Sequence, residues 1–177
     1  MPRTFHIVPG ESSLETEVRS SVHPIHSRST ELSGHVEGSF DQEGQPDLTQ
    51  PHQARVELPV RSVSSGNRLN DGEMLRRVEA QRYPTLAFEV AGVSRGEGDQ
   101  DGRYMGTVTV EAHGRIRKQE VPFHLVVDGD RLVLDAVQTF DMRDFGLQPP
   151  RIFTLKVEPE VQVTVHLVAR ESTSREE

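Results

Sequence analysis

The sequence predicts an all-β protein, an antiparallel barrel of about eight strands with one short helix between them. Three observations predict it. Apolar residues recur at period two through most of the chain, the pattern of strands with one wet face. Several of these runs reach nine residues or more, which fits long tilted barrel strands better than short sandwich strands. Only one stretch, Asp71 to about Arg82, breaks the alternation with a helical pattern, so no βαβ rhythm appears.

Composition narrows the function classes. A chain of 177 residues predicts a single domain, placed at 1–169, followed by a polar tail, 170–177 (RESTSREE), expected to be disordered. The net charge of −8 argues against a protein that tracks nucleic-acid phosphates or docks on anionic lipid. The absence of cysteine excludes disulfides, thiolate catalysis and Cys-ligated metal. MPRTFHIVPG has no apolar signal core, and no run approaches the roughly 18 apolar residues of a membrane span. A cytoplasmic protein without stable membrane insertion is the expectation.

Phe5–Val8 reads as a short strand ending at Pro9-Gly10. Leu14, Thr16, Val18, Ser20 and Val22 alternate next, until His23-Pro24-Ile25-His26 interrupts. Leu32, Gly34, Val36, Gly38 and Phe40 share a parity, and the two glycines predict a sharp bend or room for another group. Residues 41–53 read as a loop, and Ala54, Val56, Leu58 and Val60 as the next strand. Asn70 or Asp71 is expected to cap the helix, whose apolar stripe is Met74, Leu75 and Val78. Tyr83-Pro84 ends it, because proline pushes the preceding residue out of the α region.

After the helix comes Leu86–Val90, then a hairpin loop at 94–103 with Asp101-Gly102 as its turn dipeptide. Tyr104–Ala112 and Val121–Val127 alternate, and Asp128-Gly129-Asp130 turns the chain into Leu132–Ala136. Phe140–Phe153 is irregular, with one helical turn expected at Asp141–Phe145. Leu155, Val157, Pro159, Val161, Val163, Val165 and Leu167 share one parity in the last strand.

Catalytic signals are sparse. Ser12-Ser13 and Ser64-Ser65 lack a G-x-S-x-G elbow. Arg143-Asp144 reads as a salt-bridged loop anchor and Asp71 as a cap. His23 and His26 form half of a zinc site at best, because a catalytic zinc needs a third ligand and an open position. His124 and His166 face outward by parity. No catalytic residue, metal or cofactor is therefore expected.

Gly38-Ser39-Phe40, Ser65-Gly66-Asn67, Asn70-Asp71 with Leu75, and Tyr83-Pro84-Thr85-Leu86-Ala87-Phe88 occur in that order. Gly106-Thr107-Val108-Thr109 and Arg143-Asp144-Phe145-Gly146-Leu147 follow. In order and spacing these segments resemble the YceI-like family of lipocalin-like barrels, across about residues 5–169. Asn70 stands where the family usually has Arg, and Glu73 where it often has His. The resemblance implies a lipocalin-like barrel that holds a long polyisoprenoid or fatty-acyl chain, with a quinone as a further option. It also implies a non-enzymatic carrier of a kind that is often exported and often a homodimer.

By inward parity the lining is expected from Val18, Val36, Phe40, Val56, Leu58, Phe88, Val108, Val110, Phe123, Leu125, Leu134, Val163 and Val165. Met74, Leu75 and Val78 are expected to cover one mouth, beside Phe145 and Leu147. Two other readings remain open at this point. One is a closed barrel, stress-related or partner-binding, without a ligand. The other is a metalloprotein using His23 and His26.

Overall fold

Closure of the sheet is the first thing the strands achieve. The structure, a computed structural model, describes residues 2–96, 102–149, 151–152 and 155–172. The first strands are β1 (Arg3–Ile7), β2 (Ser13–Ser20), β3 (Ile25–Ser29), β4 (Ser33–Gly38) and β5 (Gln53–Pro59). Helix α1 (Arg68–Arg77) separates these from β6 (Thr85–Arg95), β7 (Arg103–Ala112), β8 (Arg115–Asp128) and β9 (Arg131–Asp141). β10 (Arg151–Ile152) and β11 (Leu155–Glu171) complete the sheet, and single 3-10 turns lie at Val60–Ser62 and Met142–Phe145. Neighbours run β1-β4-β5-β6-β7-β8-β9-β11, and β11 returns to β1. All pairings in this ring are antiparallel, giving a closed barrel of eight strands.

β1 and β2 are two halves of one barrel strand, and so are β3 and β4. β11 pairs with β9 along its length. On its other side it pairs first with β2 and then with β1. Pro9-Gly10 breaks the first strand between its halves, since proline has no N–H for the ladder. The Ser12 hydroxyl fills the gap. It accepts from Val168 N at 2.9 Å and donates to Val168 O at 3.2 Å, fully buried.

The two ends of the barrel differ. At the base, Phe5, Leu32 and Leu132 have no exposed surface, and Tyr104, Leu125, Val127, Leu167 and Ala169 pack with them. Phe5 meets Phe40 edge-on at 5.7 Å, and Tyr104 lies 5.8 Å from Phe123. At the other end, β3 meets the β5–α1 connection through an Arg28–Ser64 bridge and a Ser29–Ser62 hydroxyl contact, not through a strand ladder. There β8 parts from β9 as well, because their pairing stops at Phe123–Ala136. α1 and the Met142–Phe145 turn lie in the chain at this splayed end.

Several expectations need correction. β3 was not foreseen, because its inward positions are Ile25, Ser27 and Ser29, two of them polar. His23-Pro24 is the turn of the β2–β3 hairpin. The helix runs over Arg68–Arg77 instead of Asp71–Arg82, and its cap is Asn67, not Asn70 or Asp71. The polar tail starts later than expected. Arg170 and Glu171 belong to β11, and Arg3 pairs with Glu171 at 2.7 Å. Residues 173–177, Phe153 and Asp101 of the expected turn lie outside the described residues.

The inward glycines leave no free space. Gly34 has φ +135°, and a Cβ there would run into the carbonyl of Arg55 on the neighbouring strand. The room at Gly38 is taken by the His52 ring, and that at Gly106 by Phe123 and Val90. These residues let strands and rings approach; they do not make the hollow. Gly34→Ala is therefore expected to destabilise the protein by roughly 2–4 kcal/mol, through backbone strain and overpacking. Urea unfolding midpoints measure this, with Gly72→Ala, which meets nothing within 4 Å, as the contrast.

Candidate functional site

A hollow of about 230 Å³ occupies the splayed half of the barrel. Its walls are Leu14 and Val18 of β2, Ile25 of β3, Leu86 and Phe88 of β6, Val110 and Ala112 of β7, Phe140 of β9, and Val161 and Val163 of β11. Side chains alternate between the two faces of each strand, so the sheet itself sets an apolar inner face, although Ala87 between Leu86 and Phe88 is buried as well. Met142, Phe145 and Leu147 close the gap where β8 leaves β9, and Met74 and Leu75 of α1, with Val78 at its C-terminal cap, lie across the opening.

The expected lining divides in two. Val18, Met74, Leu75, Val78, Phe88, Val110, Phe145, Leu147 and Val163 do border the hollow. Val36, Phe40, Val56, Phe123, Leu125, Leu134 and Val165 instead pack in the solid base, and Leu58, the strand partner of Leu86, belongs to the same buried cluster without bordering the hollow. Val108 packs beside Val121 and Phe145, also off the hollow. Parity identified the inward face but not depth, so it did not separate filled levels from empty ones. Leu14, Leu86, Phe140 and Val161 were missed as lining although they share the inward parity of their strands. Ile25, Val60, Val63 and Met142 lie in segments read as interruption, strand end, turn or irregular chain.

The helix is a light cover. None of its residues is buried, and Leu69 is 67% exposed. Gly72 in its middle weakens it by roughly 0.5–1 kcal/mol relative to alanine. Side chains pin both ends. At the start, Asn67 accepts from the N–H groups of Leu69 at 3.1 Å and Asn70 at 3.2 Å. Asp71 then reaches back to the preceding turn, accepting from Ser65 N at 2.9 Å, Ser65 Oγ at 2.6 Å and Ser64 Oγ at 2.7 Å. Burial pushes its carboxyl up, but the bonds from Ser65 and Ser64 together outweigh that and hold it below the ordinary aspartate value.

The far end is held by His113, from the β7–β8 turn. Its Nε2 lies 2.7 Å from Glu79 Oε2, and its Nδ1 lies 2.9 Å from Phe145 O. Both partners are acceptors, so a neutral ring donates to only one of them at a time. Tyr83 meets the imidazole edge-on at 5.2 Å. One side chain therefore ties the chain after α1 to the Met142–Phe145 turn. Asp141 caps that turn at Arg143 N, 2.9 Å, and pairs with the Arg143 guanidinium at 2.6 Å. The expected Arg143–Asp144 anchor is thus an Arg143–Asp141 pair.

Polar groups also border the hollow. Thr16 and Ser27 come from the β2–β3 wall, Ser65, Asn70, Asp71 and Arg77 from the cover, and Gln148 from the chain after the turn. Arg77 is engaged with Glu73, its Nε at 2.9 Å from Oε1. Bonds from Arg76 and then Arg77 hold the Glu73 carboxyl below its usual range. The histidine pair brings no third ligand. His23 Nδ1 sits 3.1 Å from Pro24 O, and among the described residues no three His, Asp or Glu side chains converge. Of the candidate nucleophiles, Ser12 is engaged in the β11 ladder, and Ser64 and Ser65 donate to Asp71.

A closed antiparallel barrel, solid at one end and hollow under a helix at the other, defines a lipocalin-like architecture. The chain belongs to the YceI-like family, whose domain description matches residues 5–169. Burkholderia cenocepacia BcnA shares 19% identity at a TM-score of 0.74, over 92% of this chain and 98% of that one. A polyisoprenoid binding domain from Saccharophagus degradans, implicated in plant cell wall breakdown, shares 15% identity at a TM-score of 0.73, over 95% and 98%. The Campylobacter jejuni YceI protein shares 13% at a TM-score of 0.65, over 84% and 86%. At these identities the likeness speaks for the fold alone. No curated protein matches the sequence significantly.

Two tests address the cover. His113→Ala should free the segment after α1, so that trypsin cuts at Arg76, Arg77 and Arg82 several-fold faster. Global stability should fall by only about 1 kcal/mol, the scale of a lost hydrogen bond. The second test uses pH. The folded Asp71 carboxyl has a lowered pKa, so its contribution is complete above the ordinary aspartate range and is lost as pH falls through the lowered value. Amide exchange of Ser64–Asp71 should therefore gain protection from Asp71 at neutral pH, and the difference between wild type and Asp71→Asn should begin to shrink only as pH falls below the ordinary aspartate value of about 3.9.

Proposed function

We propose that this protein is a non-enzymatic carrier of an apolar chain, a polyisoprenoid, isoprenoid quinone or fatty-acyl lipid, held in the hollow half of the barrel. One observation carries the reading. The strand side of the hollow is built almost wholly from Leu, Val, Ile, Phe and Ala, and the helix across it buries none of its own residues. A chain entering there exchanges water for hydrocarbon walls, at about 0.8 kcal/mol per buried CH₂. No covalent chemistry is needed for that gain. The ligand class named for the Saccharophagus degradans relative is consistent with such a cavity.

The polar groups at the border give a head group something to bond. Asn70 and Gln148 offer amides, and Ser27 and Ser65 offer hydroxyls. A quinone or alcohol head is served by such neutral donors and acceptors. Arg77 is already paired with Glu73, and Asp71 carries a negative charge at the same border. These two acids disfavour a strongly anionic head.

Native mass spectrometry of protein purified without detergent should show an apolar adduct, removable by solvent extraction and restored by adding farnesol. Ala112→Trp, which puts an indole into the opening, should weaken farnesol uptake by roughly tenfold or more, equivalent to about 1.4 kcal/mol. The carrier reading fails if the protein carries no adduct and takes up no isoprenoid or fatty acid. Unchanged uptake by a folded Ala112→Trp protein would place the ligand somewhere other than this hollow.

A further inference from the structure

We infer that the barrel measures its ligand: a floor built on Phe88, Leu14 and Val163 limits how much of the chain is accepted. The inference rests on the carrier reading and adds a length limit to it. Leu14, Phe88 and Val163 border the hollow and also pack with the base cluster; Leu86 and Val63 do so too, but nearer the opening. They lie on three different strands, β2, β6 and β11, at the level where the empty half meets the filled half.

The levels can be followed along each strand. On β2 the hollow runs from Val18 to Leu14, and on β11 from Val161 to Val163. The next inward residue of β11, Val165, is Leu14's strand partner and already packs in the base. Val56, the partner of Phe88 on β5, is 6% exposed and belongs to the base as well. Four residues of β2 at about 3.3 Å each, on strands tilted by about 40°, give a depth of roughly 10 Å. That depth takes about two extended isoprene units.

The base offers no through-passage. The Phe5–Phe40 and Tyr104–Phe123 ring pairs fill its middle, and Arg3 lies over the Phe5 and Phe40 rings at 5.0 and 6.0 Å. A longer chain cannot extend past the floor, so its surplus stays under the cover or in water. Affinity should then rise severalfold with each methylene until the hollow is full, and stop rising afterwards. Phe88 is the specificity-determining residue. Its ring is the largest side chain of the floor, and it is only half-buried, so its removal lengthens the hollow without opening the fully buried core.

The test is a homologous series with one head group: prenol, geraniol, farnesol and solanesol. Each competes with a fluorescent fatty acid bound to the full-length protein. The expected result is a clear gain from prenol to geraniol and less than a threefold change beyond. Phe88→Ala should move the plateau to farnesol, Val163→Phe should move it back to prenol, and Val126→Ala on the outer wall should leave it in place. The two floor changes act in opposite directions, so the length limit remains testable if one variant does not fold. Affinity that keeps climbing to solanesol in the wild type overturns the length limit and leaves the carrier reading standing. A plateau that neither floor variant moves overturns the assignment to Phe88. If none of the alcohols displaces the probe, both the limit and the carrier reading fall.

Discussion

The return of β11 to β1 is the constraint on which the rest of this structure depends. Without it the barrel would be an open sheet with two unpaired edges, and an open sheet encloses nothing. β11 meets this by pairing with β9 on one side and with two separate half-strands on the other. Where those halves part at Pro9-Gly10, the Ser12 hydroxyl replaces the missing ladder bonds to Val168. The join is small, but it lets the first strand kink. The kink allows β2 to diverge with β3 and widen one end, while β1 and β4 stay tight at the other.

From that widening the asymmetry of the interior follows. Eight strands enclose about enough room for their own side chains. The narrow half is filled by aromatic and branched residues. The wide half is not, and its two seams are covered by α1 and by the Met142–Phe145 turn instead of by ladder bonds. His113 links these covers through Glu79 and Phe145, so the two seams are mechanically one rim. Asp71 and Ser64 attach the same rim to β3.

Much of this was legible in the sequence. Period-two alternation gave the strands around Val108, Val110, Val163 and Val165, and Tyr83-Pro84 marked the return from helix to strand. The helical turn near Asp141–Phe145 was visible because Gly146 and two prolines stop any longer element. Depth was not legible. Val165 and Val163 have the same identity, strand and parity, yet one packs in the base and the other borders the hollow. That difference arises from how far β2 and β8 splay, a property of the closed ring and not of any short window. β3 escaped notice for a related reason. Its inward Ser29 is buried against Ser62, a hydroxyl pair at 2.6 Å, which satisfies two polar groups in a position usually held by a hydrocarbon.

Gly72 sits in the middle of a helix that contributes no buried side chain. Such a segment can melt and reform while the Phe5–Leu132 base keeps its packing. The molecule thus separates two quantities that are often tied together, the free energy of opening and the free energy of staying folded. Substitutions in the cover are therefore free to tune how readily the hollow opens, over a wide range, with little penalty to the lifetime of the native state. Asn70 and Glu73 lie on that permissive side of the molecule.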